Sequence, residues 1–251
     1  MLTTRLIPCL DIKDGRVVKG TNFVGLKDSG DPLELAGKYY RENADELVFL
    51  DITATNDKRK TVMELASRLA KVIFIPFTVG GGISSCEDAI SIVYSGADKI
   101  SINTAAVKRP ELISECAVRL GSQCVTVAID AKRTPSGYKV FTNAGKNETD
   151  LEVVGWAKRC EELGAGEIML TVMDADGTRN GFDNVITSEV SKAVGIPVIA
   201  SGGAGKPEHF VDAVKIGRAD AVLAAGIFHE GLYTLNEVKK HMRKNGVPVR
   251  L

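Results

Sequence analysis

The sequence has no excess of charge of either sign, because lysine plus arginine and aspartate plus glutamate both number 32 among its 251 residues. This balance gives no support for binding to nucleic acid or to a membrane surface. The five cysteines are odd in number, dispersed and without a CxxC pair, which disfavours a disulfide framework. No apolar run approaches the roughly 20 residues of a membrane span, and the N-terminal segment lacks a signal-peptide core. We therefore expect a soluble, cytoplasmic protein.

Histidine and cofactor motifs are also sparse. The three histidines, His209, His229 and His241, are not at metal-ligand spacing, so the sequence predicts no metal site. It contains neither a nucleophile elbow nor a Walker loop, and Asp174–Gly177 lacks the remainder of a calcium loop. We therefore expect no cofactor, and any anionic ligand must be held by local groups.

Apolar runs alternate along the chain with longer helical patterns. The runs are continuously apolar, which is typical of parallel strands covered on both faces. Eight strand–helix units in 251 residues predict an α/β fold, a single (β/α)8 TIM barrel over residues 1–251. A doubly wound open sheet is the alternative, although it usually has fewer strands. The predicted strands are Leu6–Leu10, Leu47–Ile52, Phe74–Val79, Lys99–Ile102, Val125–Ile129, Ile168–Met173, Val198–Ala200 and Ala221–Ala224, and Asp31-Pro32 and Thr234–Glu237 predict helix starts.

The sequence also repeats itself with a period near half its length. Ile75–Gly82 aligns with Ile196–Gly203, 121 residues later, and Asn43–Leu47 aligns with Gly164–Ile168 at the same shift. A half-barrel cannot bury its strands alone, so two facing copies predict a closed barrel. We expect the two half-barrels to span approximately residues 1–122 and 123–251.

Two aspartates occupy repeat-related positions. The repeat matches Cys9-Leu10-Asp11 with Ala128-Ile129-Asp130. Asp11 and Asp130 are thereby predicted at the C-terminal ends of strands one and five, where barrel enzymes place their active sites. Two carboxylates facing one substrate can act as general acid and general base once their environments separate their proton affinities. The structural alternative is that each aspartate only caps the following turn.

Four turns form two repeat-related sets. We name Gly80–Gly82 with Asn103-Thr104, after strands three and four, the first cradle. Ser201–Gly203 with Ala225-Gly226, after strands seven and eight, is the second cradle. Backbone N–H groups in such turns, together with a helix N-terminus, bind anions without net positive charge on the protein. The two cradles predict a substrate with a phosphate at each end; the alternative is that the glycines only relieve tight turns.

Four charged residues stand at the opposite pole, at the N-terminal starts of strands one, two, four and six. Two are positive and two negative, so a closed set of ion pairs plugging the barrel is the structural interpretation. The functional interpretation is a gate to a path along the barrel axis, which Thr78 and Ser101 are placed to line. We call these residues the charged ring: Arg5, Glu46, Lys99 and Glu167.

Motifs along essentially the whole chain resemble a known family, the cyclase subunits of imidazole glycerol phosphate synthase. The motifs are CLDIKDGRVVKG, FTVGGGI, KISINTAAV, VAIDAKR, DGT at 176–178 and IASGGAGKPEHF. KGTNF after the first strand and INTAAV after the fourth distinguish this family from the sister phosphoribosyl-formimino isomerase.

The resemblance implies a carbon–nitrogen lyase of histidine biosynthesis that works as a heterodimer with a glutaminase. The glutaminase would bind the N-terminal barrel face and supply ammonia through the barrel. At the other face, ammonia would convert the bisphosphorylated N′-phosphoribulosyl-formimino-aminoimidazole-carboxamide ribonucleotide into imidazole glycerol phosphate and the aminoimidazole-carboxamide ribonucleotide.

The same resemblance assigns roles to individual residues. Asp11 and Asp130 would be the acid–base pair, the charged ring would be the ammonia gate, and Lys19, in the long loop Asp14–Gly30, would belong to a lid. A loop lysine alone is more often a solvated surface residue. The residues implied in phosphate and substrate binding are Gly82, Asn103, Thr104, Asp176, Gly177, Ser201, Gly203, Ala225 and Gly226.

Some positions depart from the family pattern. Val172 and Ala175 replace the serine and arginine of the common LTSxDRDGT, Gly226 stands where serine is usual, and Arg218 resembles a one-residue insertion. Three alternative functions therefore stay open. They are the sister isomerase, a paralogue that delivers ammonia to another phosphorylated sugar, and a non-catalytic phosphate-binding scaffold barrel.

Overall fold

The computed structural model describes residues 2–21, 24–52 and 59–251. Its strands are β1 Arg5–Lys13, β2 Arg16–Thr21, β3 Val24–Gly30, β4 Leu47–Asp51, β5 Phe77–Gly80, β6 Lys99–Ile102, β7 Val125–Thr134, β8 Gly137–Thr142, β9 Asn147–Glu152, β10 Glu167–Val172, β11 Val198–Ser201 and β12 Ala221–Ala224. Its α-helices are α1 Pro32–Arg41, α2 Arg59–Leu69, α3 Cys86–Tyr94, α4 Thr104–Lys108, α5 Glu111–Leu120, α6 Val153–Glu162, α7 Asn184–Ala193, α8 Pro207–Lys215, α9 Gly226–His229 and α10 Leu235–Lys244.

Eight of these strands close into a parallel barrel. Going round it, β1, β4, β5, β6, β7, β10, β11 and β12 follow one another, and β12 pairs with β1 in parallel. The pairing of β7 with β10 joins the first four of these strands to the last four, so the eight-stranded barrel is closed and has no free edge. The (β/α)8 prediction is confirmed.

Strand bounds agree best where the apolar run is short. Lys99–Ile102 and Ala221–Ala224 form strands with the predicted bounds. The strand predicted at Phe74–Val79 begins only at Phe77, because Phe74 is exposed to solvent and Pro76 has no N–H to donate to a ladder. The helix starts predicted at Asp31-Pro32 and Thr234–Glu237 are confirmed, with Asp31 accepting from two backbone amides and Thr234 forming a capping box.

Two antiparallel hairpins extend the barrel at its C-terminal face, and the sequence interpretation missed both. The segment Asp14–Gly30, predicted as a long loop, contains β2 and β3, which continue from β1. A tight turn with positive φ at Asp14 and Gly15 joins β1 to β2, as the Asp-Gly pair favours. Strands β8 and β9 continue from β7 in the same way. Both hairpins therefore rise from the strands that carry Asp11 and Asp130.

The register of the barrel strands follows the same path in both halves of the chain. Residues at corresponding positions are paired from strand to strand: Asp11, Leu50, Gly80 and Ser101 in the first series, and Asp130, Thr171, Ser201 and Leu223 in the second. This correspondence supports the predicted repeat, while a division near residue 122 stays a prediction.

Apolar side chains form two layers. The larger core fills the space between strands and helices, and a smaller cluster occupies the barrel interior. Within the described ranges, no helix is long and apolar enough to cross a membrane. The interior cluster separates the charged ring from the C-terminal mouth and consists of Ile7, Cys9, Val48, Ala128, Met169, Ile199, Ala221 and Leu223.

Candidate active site

Asp11 and Asp130 lie at the C-terminal end of the barrel interior. Asp11 pairs with Leu50 of β4 and with Val18 of the hairpin strand β2. Asp130 pairs with Thr171 of β10 and with Phe141 of the other hairpin. The backbone of each aspartate is therefore held by a barrel strand on one side and by the base of a hairpin on the other.

Both carboxyl groups have a raised pKa. Burial, with a contribution from the negative charge of Asp176, raises the pKa of Asp11 to about 7. Burial and Asp176 also raise the pKa of Asp130, but only to about 6, because Asn103 Nδ2 donates to Asp130 Oδ2 at 2.9 Å and favours the ionised form. Asp11 receives only a weak bond from Cys9 Sγ at 3.9 Å. At a pH between these values Asp11 is mainly protonated and Asp130 mainly ionised.

Asp176 is the third carboxyl group at the mouth. Burial raises its pKa, and the backbone N–H of Gly177 opposes that rise. A Cβ atom added at Gly202 would lie 3.3 Å from Asp176 Cβ, so the loop after β11 packs directly against this residue. Asp176 thus packs beside the second cradle, and its negative charge acts on both Asp11 and Asp130.

The first cradle is shaped by close backbone packing and by an uncapped helix. Gly81 has φ of 97°, and a Cβ there would lie 2.1 Å from the carbonyl oxygen of Asp51. Asn103 is the N-cap of α4, but its side chain bonds Asp130 and makes no capping hydrogen bond. The first N–H groups of α4 therefore have no side-chain acceptor from the N-cap. Thr104 Oγ1 accepts a hydrogen bond from Asn143 N at 2.9 Å, which ties this cradle to the turn between β8 and β9.

The second cradle repeats this construction. Gly203 has φ of 108°, and a Cβ there would lie 2.1 Å from the carbonyl oxygen of Gly181. Ala225 is the N-cap of α9 and contributes no side-chain capping bond. Gly226 opens the helix. The second cradle differs from the first in having no polar side chain at its helix start.

The charged ring closes the opposite end of the barrel with alternating signs. Arg5 Nη1 lies 2.7 Å from Glu46 Oε2, and Arg5 also bonds Glu167. Lys99 Nζ lies 3.0 Å from Glu46 Oε2 and 3.1 Å from Glu167 Oε2. Each carboxylate thus contacts both cations. Arg5 and Lys99 keep 26% and 18% of their side-chain surface exposed, so the ring is accessible from the N-terminal face.

Threonine hydroxyls support the ring from above. Thr78 Oγ1 donates to Glu46 Oε1 at 2.9 Å, and Thr126 Oγ1 donates to Glu167 Oε2 at 3.5 Å. Thr78, predicted to line a path, therefore also holds a ring carboxylate, whereas Thr126 was missed. Ser101 is buried and follows Lys99 by two residues in β6, so the two side chains point to the same side of the strand. The role of Thr78 and Ser101 in a path stays a prediction.

The departures from the family pattern lie outside the immediate contacts of the two aspartates. Val172 is buried in the outer core between strands and helices. Ala175 packs against that core, with its Cβ 3.2 Å from the place a Cβ would take at Gly203. Arg218 adopts φ of 59° in the turn between α8 and β12, and its interpretation as a one-residue insertion stays a prediction. The backbone of Lys19 belongs to β2, but its side chain lies outside the described part of the structure.

Comparisons with known proteins show the family of this chain. The family described as "Histidine biosynthesis protein" matches residues 5–234. Proteins named "Imidazole glycerol phosphate synthase subunit HisF" match the whole chain, at 56% identity for one from Dehalococcoides mccartyi (251 aligned residues, 99% of that protein) and 57% for one from Solibacter usitatus (252 residues, 99%). The one from Methanocaldococcus jannaschii is 54% identical over 271 aligned residues, covering all of both chains. The chain belongs to the HisF family.

One contact in this HisF-family chain could not be found from its motifs. Tyr39 and His229 are hydrogen bonded although 190 residues separate them. Neither residue stands in a glycine-rich turn or at a strand end, so a lone tyrosine and a lone histidine carried no local signal. Within the described ranges, no group of three or more histidine, cysteine or acidic side chains is arranged to hold a metal ion.

Proposed function

We propose that this chain is the cyclase of imidazole glycerol phosphate synthase, the enzyme in the names of its relatives, and that it acts with a separate glutaminase. Its substrate is the bisphosphorylated N′-phosphoribulosyl-formimino-aminoimidazole-carboxamide ribonucleotide. The observation that carries this proposal is the arrangement at the mouth. Two uncapped helix starts with glycine turns flank two carboxyl groups whose pKa values are raised to about 7 and about 6.

The difference between the carboxyl groups supports a division of labour. Ammonia attacks the keto carbon, and loss of water from the adduct needs a proton on the departing oxygen. Asp11, with the higher pKa, is the group that donates this proton. Asp130, ionised more readily because Asn103 donates to it, removes protons from nitrogen during imine formation and ring closure. The C–N cleavage that releases the aminoimidazole-carboxamide ribonucleotide again needs a proton at the departing nitrogen, which the reprotonated pair supplies.

The phosphates of the substrate would be held by backbone groups at the two cradles. The chain carries no net charge, so attraction of two phosphates depends on N–H groups and helix starts rather than on the protein's overall field. Asn103 and Thr104 add polar side chains to the first cradle only. Asp176 and Gly177 lie beside the second, where Gly177 N–H stabilises the Asp176 carboxylate.

The N-terminal face is the proposed docking surface for the glutaminase. In a (β/α)8 barrel the helix ends and the segments entering each strand lie on this face. Large apolar side chains are exposed there, with Phe74 77%, Tyr94 87% and Val118 85% accessible. Exposed apolar groups of this size favour a protein contact. The charged ring lies at the centre of the same face, so ammonia released by a docked glutaminase would meet it first.

One assay tests reaction and substrate together. Purified protein is mixed with ammonium salt and the bisphosphorylated substrate, and the loss of substrate absorbance is followed. We expect turnover in the wild type and a loss of at least about 100-fold in Asp11→Asn and in Asp130→Asn, since general acid–base catalysis contributes factors of this size. Near-normal turnover in either variant would remove that residue from the mechanism.

The alternatives give different results in the same experiment. The sister isomerase would open the aldose isomer of the substrate without ammonia. A paralogue would use ammonium but leave this substrate unchanged, and a scaffold barrel would bind substrate without turning it over. Each of these outcomes would contradict the proposed function.

A further inference from the structure

A hydrogen-bonded relay connects three distant segments behind the second cradle. Tyr39, on α1, places its hydroxyl 2.6 Å from His229 Nδ1, and His229 Nε2 lies 2.9 Å from the carbonyl oxygen of Cys9. Tyr39 is completely buried, and its ring lies 5.8 Å from the His229 ring between centroids. The relay therefore lies in the protein interior, with α1 on one side and β1 on the other.

The chemistry of the relay defines the histidine tautomer. A carbonyl oxygen only accepts hydrogen bonds, so Nε2 must carry a hydrogen to bond Cys9. In the neutral ring Nδ1 is then the acceptor, and it receives the Tyr39 hydroxyl hydrogen. Tyr39 thereby keeps the donor side of His229 turned toward β1.

The Cys9 carbonyl lies where the β1–β12 ladder has ended. The last pair of that ladder joins Pro8 to Ala224, after which the chain leaves β12 for α9. His229, the last residue of α9, donates to β1 one residue farther along. Its bond thus ties α9, which begins at Gly226 in the second cradle, to the strand segment two residues before Asp11.

The first cradle has no such relay at the corresponding place. His229 N bonds Ala225 O as Val107 N bonds Asn103 O, so Val107 corresponds to His229. Ala44 N bonds Tyr39 O as Ala165 N bonds Cys160 O, so Cys160 corresponds to Tyr39. Neither Val107 nor Cys160 offers the ring nitrogen or hydroxyl that the relay uses.

This asymmetry follows the difference between the cradles. The first has the polar side chains of Asn103 and Thr104 at its helix start, whereas the second has Ala225 and Gly226. A helix start that offers backbone N–H groups alone binds phosphate only as well as its backbone is placed, and glycine there adds conformational freedom. An anchor from behind is therefore of greatest use at the second cradle.

We propose that Tyr39 and His229 are positioning residues that hold the second cradle at a fixed distance from Asp11. The proposal rests on the proposed function for the identity of the substrate. Neither residue touches the substrate; Tyr39 acts through His229, and His229 acts through α9 and the Cys9 carbonyl.

The relay is tested with Tyr39→Phe, which keeps the ring and removes only the hydroxyl. Tyr40→Phe is the matched control, since it removes the same atom from the next residue of α1. The chemical shifts of the ring nitrogens of the three histidines, measured by NMR, report the tautomer of each ring. The amide chemical shifts of Gly226 and Gly82 during titration with inorganic phosphate report the phosphate affinity of each cradle. Kinetics with ammonium salt give kcat and KM for the bisphosphorylated substrate.

We expect His229 to be the Nε2–H tautomer in the wild type and to populate Nδ1–H in Tyr39→Phe. Phosphate affinity at Gly226 should fall about three- to tenfold and KM should rise by a similar factor, as loss of one buried hydrogen bond predicts, with kcat nearly unchanged. Phosphate affinity at Gly82 should not change. His229→Gln, whose amide N–H can still donate to Cys9, should restore part of the affinity lost in His229→Leu.

Other results would overturn the relay. They are an Nδ1–H tautomer in the wild type, no response of Gly226 to phosphate, or equal effects of Tyr39→Phe on Gly226 and Gly82, which would indicate a general loss of structure. The tautomer and phosphate measurements do not need turnover. A chain that binds phosphate at both cradles but produces no imidazole product would therefore contradict the proposed function alone.

Discussion

Asn103 is the residue that makes the proton affinities of Asp11 and Asp130, the two carboxyl groups proposed for catalysis, different from each other. Its amide donates to Asp130, whereas Asp11 has only a weak thiol donor. The same side chain is the N-cap of α4, and because it turns toward Asp130 it leaves the helix start without a side-chain cap. The orientation of one amide group thus favours ionisation of the proposed base and leaves the N–H groups at the start of α4 available to a ligand.

The pH dependence of turnover should report this arrangement. If ionised Asp130 and protonated Asp11 are both required, kcat/KM with ammonium salt follows a bell with limbs near pH 6 and pH 7, the values to which burial raises their pKa in the substrate-free protein. In Asn103→Ala the pKa of Asp130 rises, because the carboxylate loses its donor, so the acidic limb moves to higher pH and the maximum falls. The basic limb is an internal control; a bell that keeps its acidic limb would contradict the role of Asn103.

The stability of Asp11→Asn provides an independent measurement at the same residue. The folded-state pKa of Asp11 is raised from its ordinary 3.8 to about 7, so its contribution to stability is favourable below pH 3.8 and is lost as pH rises through 7. Asp11→Asn removes the buried charge, so its melting temperature should exceed that of the wild type at pH 8 and differ little at pH 4. A variant that melts lower at pH 8 would show that the carboxylate stabilises the fold.

At the scale of elements, aspartates that precede strands clamp neighbouring strand starts. Asp45 accepts from Leu6 N, Asp98 from Phe77 N and Asp220 from Val198 N, each at 2.8 to 2.9 Å. Asp45 has an additional partner, because Lys239 of α10 reaches it at 2.8 Å with no exposed side-chain surface. Helix α10 is thereby tied to the segment that enters β4, and through Asp45 to the start of β1.

Replacing Lys239 should loosen this tie. Lys239→Met leaves Asp45 buried with Arg250 as its remaining cation, at 3.2 Å, so we expect a loss of about 3 kcal/mol in the free energy of unfolding, the lower end for a broken buried pair. Lys240→Met, on the exposed side of the same helix, is the control and should change stability by less than about 0.5 kcal/mol. Urea unfolding measures both. Equal midpoints for the two variants would show that the buried pair contributes nothing.

The elements that the sequence predicts are those with strong local signals. The strand Ala221–Ala224 is continuously apolar, the strand Lys99–Ile102 has isoleucine at two of its four positions, and the helix starts at Asp31 and Thr234 carry their own caps. The hairpins were missed because strands such as Asn147–Glu152, in which two side chains are partly buried and the others exposed, do not form an apolar run. Contacts between distant segments, such as that of Asn103 with Asp130 or of Tyr39 with His229, depend on the closed barrel and leave no local pattern.

At the scale of the whole molecule, apolar side chains inside the barrel separate the charged ring at the N-terminal end from the polar groups at the C-terminal mouth. The charged ring has two carboxylates that each contact two cations, which makes it a closed barrier at the N-terminal face. Above it, Ile7, Val48 and Met169 belong to the interior cluster. An uncharged molecule of the size of ammonia crosses such a layer at far lower cost than an ion, because charge is expensive to desolvate.

The ring can therefore be tested apart from the chemistry at the mouth. Lys99→Met removes one cation that bridges Glu46 and Glu167, so water and ammonia should exchange more freely between the barrel and solvent. With the glutaminase partner present, we expect the imidazole product formed per glutamine hydrolysed to fall severalfold, while turnover with saturating ammonium salt stays within about twofold of the wild type. Arg109→Ala, which breaks an exposed ion pair with Glu115, is the control and should leave both quantities unchanged. A Lys99→Met complex that still couples product to glutamine one to one, with normal affinity for the glutaminase, would show that the ring is structural and does not guard ammonia.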